Sequence, residues 1–487
     1  MTNFDSRLTK GLYDNVHGFV KLTEEEKKLL ESPYFQRLNH IKQLGLAYFV
    51  FPGAVHTRFS HSLGVLHIAE KIICQINKKQ ENLIDDKMHQ IIRLAALLHD
   101  IGHYPLSHTV EKSYIEHFAY ASILKKELCR DKLTNFFKYY DNDRNQMNHE
   151  EMASIIIKSG PFRKLLTGLF EINSDDIDAI CKIIVGSPMN DKYYIPTRII
   201  HSKFDADQID YMIRDKLNTG FGSSLDIDFI INNINICNKE FDGGNILPSI
   251  SFDIKAVQAI EQFVLSKYYW YSSILYHDKT YIMNFVAQRL YTYMLSNNII
   301  DEDFRDIKGL KNLLEHEPER FFFFNDNYFW HKIYEILYIS PNKHPKNVIK
   351  LAKMIVNRQF PDIMKNDFYE EHFFDKDKIR PLKRLYKEHE KPSKSLFYKE
   401  IQKLNKQKGN HYIGIPIERS ILSLDDDEKF DLENEDINIH INDNNCKNII
   451  DFKNQFLQAF IYENNNKQKK SKCISTVIIY DFAKILQ

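Results

Sequence analysis

The chain has 487 residues, long enough for a large core or for two to three domains. Apolar residues make up 43% and charged residues 27%, the balance of a globular rather than a disordered chain. With 66 basic and 66 acidic side chains the formal net charge is zero, so no global field favours nucleic acid or an anionic membrane, and any phosphate ligand needs a local site.

No charged-then-apolar leader opens the sequence, and no apolar run nears the roughly 20 residues that span a bilayer. A cytoplasmic protein with no membrane partner is expected. The six cysteines, Cys74, Cys129, Cys181, Cys237, Cys446 and Cys473, are scattered, form no CxxC pair and read as reduced thiols.

Residues 11–22, GLYDNVHGFVKL, place turn residues around a short β-like run and predict a small hairpin. The stretch TEEEKKLLESPYFQRLNHIKQLG predicts two helices separated at Ser32-Pro33, the first opened by a Thr23–Glu26 capping box. After the loop FPGAVHTR, the segment SHSLGVLHIAEKIICQI sets His61, Val65, Ile68, Ile72 and Ile76 near one helical face. DKMHQIIRLAALLHDIGH predicts a further helix, ended by Gly102 and Pro105 just past His99-Asp100. More helices are expected over 110–190 and in KFDADQIDYMIRDKLNTGFG, then strand-like pieces over 225–254. The aromatic run DIKAVQAIEQFVLSKYYWYSSILYHDKTYIMNFVAQRLYTYML reads as one long helix whose rings fill the core. Beyond about residue 300 short helices give way to a basic stretch at 375–394. Strand candidates follow in HYIGIPIE, INIHI and CISTVIIYDF, separated by charged loops. The fold class expected is mainly α, with a C-terminal α+β region over 301–487 that serves regulation or oligomerisation.

The chemistry concentrates in LAALLHDIGHYPLSH. His99 and Asp100 are adjacent near a helix end, about 100° apart around the axis, so both can lean toward one ion. His61 lies on the preceding helix, where an imidazole on an apolar face is ordinarily a core histidine. Asp205, Asp207, Asp210 and Asp215 crowd FDADQIDYMIRD, with apolar residues interleaved. A His-Asp dipeptide alone is weak evidence, since a second occurs at His277-Asp278 without the glycine break.

Context decides. YFQRLNHIKQLGLAYFVFPGAVHTRFSHSLGVLHIAEKI, then ALLHDIGHYPLSH, then NHEEMA, then FDADQIDYMIRD resemble, in the same order, the HD-domain phosphohydrolases. Within them the chain is similar to the deoxynucleoside triphosphate triphosphohydrolase branch, which also opens with a segment like YDNVHGFVKL and includes enzymes with an added SAM domain, not expected here. The likeness covers residues 10–300 and implies an HD helical core over 1–300, with its motif region at about 35–220.

The resemblance implies a divalent metal (Mn, Fe, Mg or Zn) on His61, His99, Asp100 and Asp207. It matches Arg58 to a phosphate-gripping arginine, and His103 and His108 to histidines at the α-phosphate. His149 and Glu150 match a catalytic His-Glu pair. Gln43, Tyr211, Asp215 and Tyr276 match residues of the nucleotide pocket. It implies metal-dependent hydrolysis of a deoxynucleoside triphosphate to deoxynucleoside and triphosphate, in a homo-oligomer under control of an allosteric nucleotide, with nucleic acid not expected as a partner. The chain departs from the pattern at Gln208 and Tyr268, where relatives carry phosphate-binding cations, although Lys267 and Lys279 stand near. Glu111 replaces an aspartate. These departures keep a second expectation open: a hydrolase of another nucleotide phosphoester, such as a monophosphate or a cyclic or oligomeric nucleotide.

Overall fold

A computed structural model describes residues 3–117, 148–186, 192–241, 245–363, 405–406, 411–420, 437–442, 445–449, 461–463, 469–471 and 473–486. Strand β1 (Lys10–Asp14) pairs antiparallel with β2 (Gly18–Leu22), Lys10 opposite Leu22 and Asp14 opposite Gly18. The turn closes because Asp14 Oδ1 accepts from the backbone N–H groups of Val16 and His17, while Gly18 takes φ +70°. Helix α1 (Glu24–Leu30) starts at the expected Thr23–Glu26 capping box.

The second helix is shorter than the sequence predicts. One turn, Pro33–Gln36, passes into a 3₁₀ turn, Arg37–His40. The physical reason lies in Arg37. Its buried guanidinium donates to the carbonyls of Ile101, His103 and Phe324 at 2.6 to 2.9 Å, and this ties the chain down before residue 43.

Helices α2 (Arg58–Lys79), α3 (Asp86–Leu98), α4 (from residue 108, described to 117), α5 (His149–Lys158), α6 (Ser174–Val185) and α7 (Ala206–Thr219) form the centre. Both α3 and α7 pack on α2, and α6 covers α3 and α5. From His89 to Leu98 every residue of α3 is buried, so this helix has no solvated face. Its one cation there, Arg93, is balanced by Glu26 at 2.7 Å and Glu70 at 2.6 Å. Two glycines set the helix spacing. A Cβ on Gly64 would lie 1.8 Å from Asp210 Oδ1, and one on Gly102 would lie 2.0 Å from the His149 carbonyl oxygen.

The long aromatic run is not one helix. It divides into α8 (Val257–Trp270), a π turn over Tyr271–Leu275, and α9 (Asp278–Ser296). The break arises because His277 leaves helical geometry (φ −57°, ψ 125°) and its imidazole accepts from the Lys279 N–H, starting a new helix. The second His-Asp pair therefore serves as a helix cap.

Apart from a short hairpin of Ile461–Glu463 with Lys469–Ser471, the strands beyond residue 230 are β3 (Ile234–Phe241), β4 (Asn245–Asp253), β5 (Asp362–Ile363), β6 (Tyr412–Ser420), β7 (Asn438–Asn442), β8 (Asn445–Asn448) and β9 (Cys473–Asp481). One sheet has the order β3-β4-β7-β8. Its β4–β7 pair is parallel, with Ser251 opposite Asn438. The other places β9 between β5 and β6, both antiparallel to it. The three C-terminal strand candidates of the sequence are thus strands, and β7 joins a sheet begun near residue 234. The basic stretch 375–394 lies outside the described residues. Among the described residues the fold is mainly α, no helix is long and apolar enough to cross a membrane, and Cys74, Cys181 and Cys237 are not joined in disulfides.

Gly102→Ala should lower stability by about 1–3 kcal/mol, because its methyl group would need the His149 and Ala153 backbone to move. Thermal unfolding followed by circular dichroism checks this, and an unchanged Tm would remove Gly102 from the account of helix spacing.

Candidate metal centre

Three helix ends meet at one point. Helix α2 carries His61 in its first turn, α3 ends on His99 with Asp100 following, and α7 carries Asp207 in its first turn. His99 Nδ1 donates to the Ala96 carbonyl at 2.8 Å, which leaves the Nε2 lone pair free. His61 Nδ1 lies 2.7 Å from Asp210 Oδ2, so its Nε2 also faces the centre. That atom is 2.8 Å from Asp207 Oδ1, while His99 Nε2 is 4.0 Å from the same oxygen.

His61, His99 and Asp207 offer ligand atoms within 4.8 Å of one another. Both Nε2 atoms are buried, and that of His99 has no hydrogen-bond partner. Two imidazole nitrogens and a carboxylate oxygen brought this close make a donor set for a cation. Burial opposes charge on His61, but the hydrogen bonds to Asp207 and Asp210 lift it to about 10. Burial lowers His99. This donor set fits a divalent metal ion, and nitrogen with carboxylate does not select one metal.

Asp100 stands beside this group. Its Oδ1 is 3.3 Å from His99 Nε2 and its Oδ2 is 3.8 Å from His61 Nε2. Arg58 donates to Oδ2 at 2.8 Å, and His103 Nε2 lies 3.0 Å from Oδ1. Burial pushes the Asp100 carboxyl up, but Arg58 beside it holds it well below the usual range.

Asp210, noticed in the sequence only as one acid of a crowd, is the main outer support. Its carboxylate is fully buried against His61, His17 Nε2 at 2.6 Å, and Arg214 Nε and a terminal nitrogen at 2.7 and 3.0 Å. Arg214 in turn holds Asp14 at 2.8 Å. Burial works against its charge, yet Arg214 and the histidines keep Asp210 well below the ordinary carboxylate range. The N-terminal hairpin thereby reaches the candidate ligand His61 through His17 and Asp14.

On the other side of Asp100 the expected phosphate histidines cluster. His103 stacks on His149 with ring centroids 3.9 Å apart, and His108 is edge-on to both. Glu111 bridges them, with one oxygen 2.7 Å from His108 Nδ1 and the other 3.1 Å from His149 Nδ1. Glu150 Oε1 is 3.4 Å from His149 Nε2. Burial lowers His149, but Glu150 and Glu111 raise it to about 9. The Glu111 carboxyl, pushed up by burial, is held well below its usual range by His149 and His108.

The loop that delivers these groups is strained. Leu106 and Ser107 both adopt φ +55°, each costing on the order of 1 kcal/mol or more. Buried Asp326 compensates by accepting from the Leu106 N–H at 2.7 Å and from the Lys42 N–H at 3.0 Å. Ser107 Oγ donates to the Lys42 carbonyl and accepts from Arg58 Nε, both at 2.9 Å. Nothing in the sequence marked Ser107 or Asp326.

The expected pocket residues fall in two groups. Gln43 bonds through its backbone N–H to the His56 carbonyl, and the His56 imidazole lies 2.6 Å from Asp215. Tyr211 lies against Trp270, which joins through Tyr271 to Tyr276. Gln208, next in sequence to Asp207, accepts at 3.0 Å from Lys267, a buried cation. Tyr268 packs on Tyr269, and Lys279 lies over Phe360.

The HD domain family model matches residues 58–182, which contain His61, His99, Asp100 and the histidine cluster. Residues 58–182 therefore carry an HD domain. An uncharacterized protein of Mycoplasma pneumoniae is 32% identical over 62% of this chain and 63% of its own length. One of Methanocaldococcus jannaschii is 30% identical over 66% of this chain and 57% of its own length. The deoxynucleoside triphosphate triphosphohydrolase SAMHD1 of Homo sapiens is 29% identical over 49% of this chain and 39% of its length. The chain thus spans less than two thirds of these HD-domain relatives. A phosphohydrolase from Bacteroides thetaiotaomicron has a similar fold, with TM-score 0.61 and 20% identity over 97% of this chain and 99% of that one.

Asp210→Asn keeps the volume and removes the charge that fixes His61. It should weaken metal binding roughly 10- to 100-fold with the fold retained. Chelator competition measures this, and wild-type metal affinity would deny Asp210 its supporting role.

Proposed function

We propose that the chain is a metal-dependent nucleotide phosphohydrolase that converts deoxynucleoside triphosphates to deoxynucleoside and triphosphate. The observation that carries the reading is the convergence of His61, His99 and Asp207 on one point, with Arg58, His103 and His149 grouped around Asp100 beside it. Similarity to enzymes whose names state that activity supports the choice of substrate.

A divalent ion (Mn, Fe, Mg or Zn) held by His61, His99, Asp100 and Asp207 would supply Lewis-acid polarisation of a phosphoryl oxygen. Arg58 and the imidazoles of His103 and His108 offset charge that grows on the phosphoryl oxygens. His149, held protonated at neutral pH by Glu150 and Glu111, is suited to give a proton to the leaving oxygen. Gln43 and Asp215 border the sugar end, and Tyr211 and Tyr276 supply aromatic walls. The cation that Gln208 does not provide comes from Lys267 beside it. A homo-oligomer controlled by a nucleotide belongs to the same proposal.

Incubation of the Mn-loaded protein with the four dNTPs, singly and mixed, followed by ion-exchange chromatography, should give deoxynucleoside plus intact triphosphate. Bound metal without such products would move the substrate to a monophosphate or a cyclic or oligomeric nucleotide. His99→Ala and Asp207→Ala should each abolish turnover and lower bound metal, whereas wild-type rates in both would sink the assignment. Because the acid form of His149 exists below its raised pKa, turnover should fall as pH rises through about 9. A flat pH profile up to 10 would remove His149 as the acid.

A further inference from the structure

A second set of metal-capable side chains lies on the far side of Asp100. His103, His108, Glu111 and His149 offer ligand atoms within 4.8 Å of one another. They come from the loop after α3, from α4 and from the first residue of α5, so three segments converge as they do at the first site. The Glu111 carboxylate lies between two imidazoles, 2.7 Å from His108 Nδ1 and 3.1 Å from His149 Nδ1. Those two contacts alone would be an ordinary buried hydrogen-bond network. The third imidazole is what such a network leaves unexplained. His103 is 1% exposed, stacks on His149, and its Nδ1 is buried with no hydrogen-bond partner. A buried nitrogen without a partner is costly unless something fills the place.

We propose that these four side chains form a Zn²⁺ site distinct from the His61–His99–Asp207 centre. Three imidazoles and one carboxylate make a four-donor set richer in nitrogen than the first site, which favours zinc over Mg²⁺ or Ca²⁺. Tetrahedral bonds of about 2.1 Å place the ligands about 3.4 Å apart. Bringing all four ligand atoms to that spacing needs movement of a ligand that is free to move. That ligand is His108, whose side chain is 58% exposed, while the other three are held by packing. Zinc would replace the protons now shared among Glu111, His108 and His149, and these would be released on binding. The consequence for turnover rests on the hydrolase reading above. Zinc at this site takes His103, His108 and His149 out of contact with phosphate and out of proton transfer, so the occupied state is inactive.

The test counts metal, not turnover. The full chain, stripped by a chelator and dialysed against a small excess of Zn²⁺, should carry two zinc equivalents by mass spectrometry. His108→Ala and Glu111→Gln should each carry one, and Asp207→Ala should also carry one by losing the other. His108 is a half-exposed surface imidazole, so its removal does not threaten folding. One equivalent on the wild-type chain, or two on both His108→Ala and Glu111→Gln, would overturn the proposal. Two equivalents on a chain that still hydrolyses no nucleotide once the second equivalent is withdrawn would keep the zinc site and sink the hydrolase. Hydrolysis by a chain that binds one equivalent would do the reverse.

Discussion

The carboxylate of Asp210 is the constraint on which the centre depends. A buried negative charge survives only if its lone pairs are filled by donors. Here the donors are two histidines and one arginine, each from a different part of the chain: the hairpin turn, the start of α2 and one turn further along α7. Gly64 lets α2 approach so closely that no side chain could intervene. The result is a rigid imidazole at position 61, with its remaining nitrogen aimed at Asp207. A metal ligand held by its own helix alone would keep rotamer freedom that this arrangement removes.

The loop beyond α3 follows the opposite rule. It uses two non-glycine residues in left-handed geometry, and strain of that kind persists only where the surroundings over-determine it. Asp326 and Arg37 provide that restraint, one from beyond residue 300 and one from the short turn after Pro33. Burial raises the Asp326 carboxyl, opposed by the two backbone N–H groups it accepts from. Delivery of His103 and Arg58 to the same side of Asp100 thus depends on a residue more than two hundred positions downstream, with Leu106 and Asp326 separated by 220.

What the sequence could reveal was local. The Thr23–Glu26 box, the turn at Asp14 and Gly18, and the glycine break after His99-Asp100 are short-range signals, and each marks a feature of the structure. Resemblance to a family motif, rather than spacing, pointed to His61, His99 and Asp207. Asp210 and His17 lie in motif segments that gave them no role, and Asp326 stood in none of them, since an acid's role comes from partners brought by folding, and His17 lies 193 residues from Asp210. The aromatic run misled because period alone does not register a histidine that prefers to cap. The shortened helix after Pro33 was equally hidden, as Arg37 reads as a surface cation until its three carbonyl partners are in place.

The parallel pairing of β4 with β7 joins residues far apart in the chain, Ser251 opposite Asn438. Chain growth at a ribosome proceeds at roughly 5–20 residues per second, and contacts distant in sequence close late. All four candidate ligands, the last at Asp207, leave the ribosome well before β7 does. The nascent chain therefore passes through an interval in which its ligand-bearing helices are complete while the β4 edge has no neighbour. An open edge of that kind invites pairing with another nascent copy, so early helix packing and late edge closure form a kinetic hazard built into the order of synthesis.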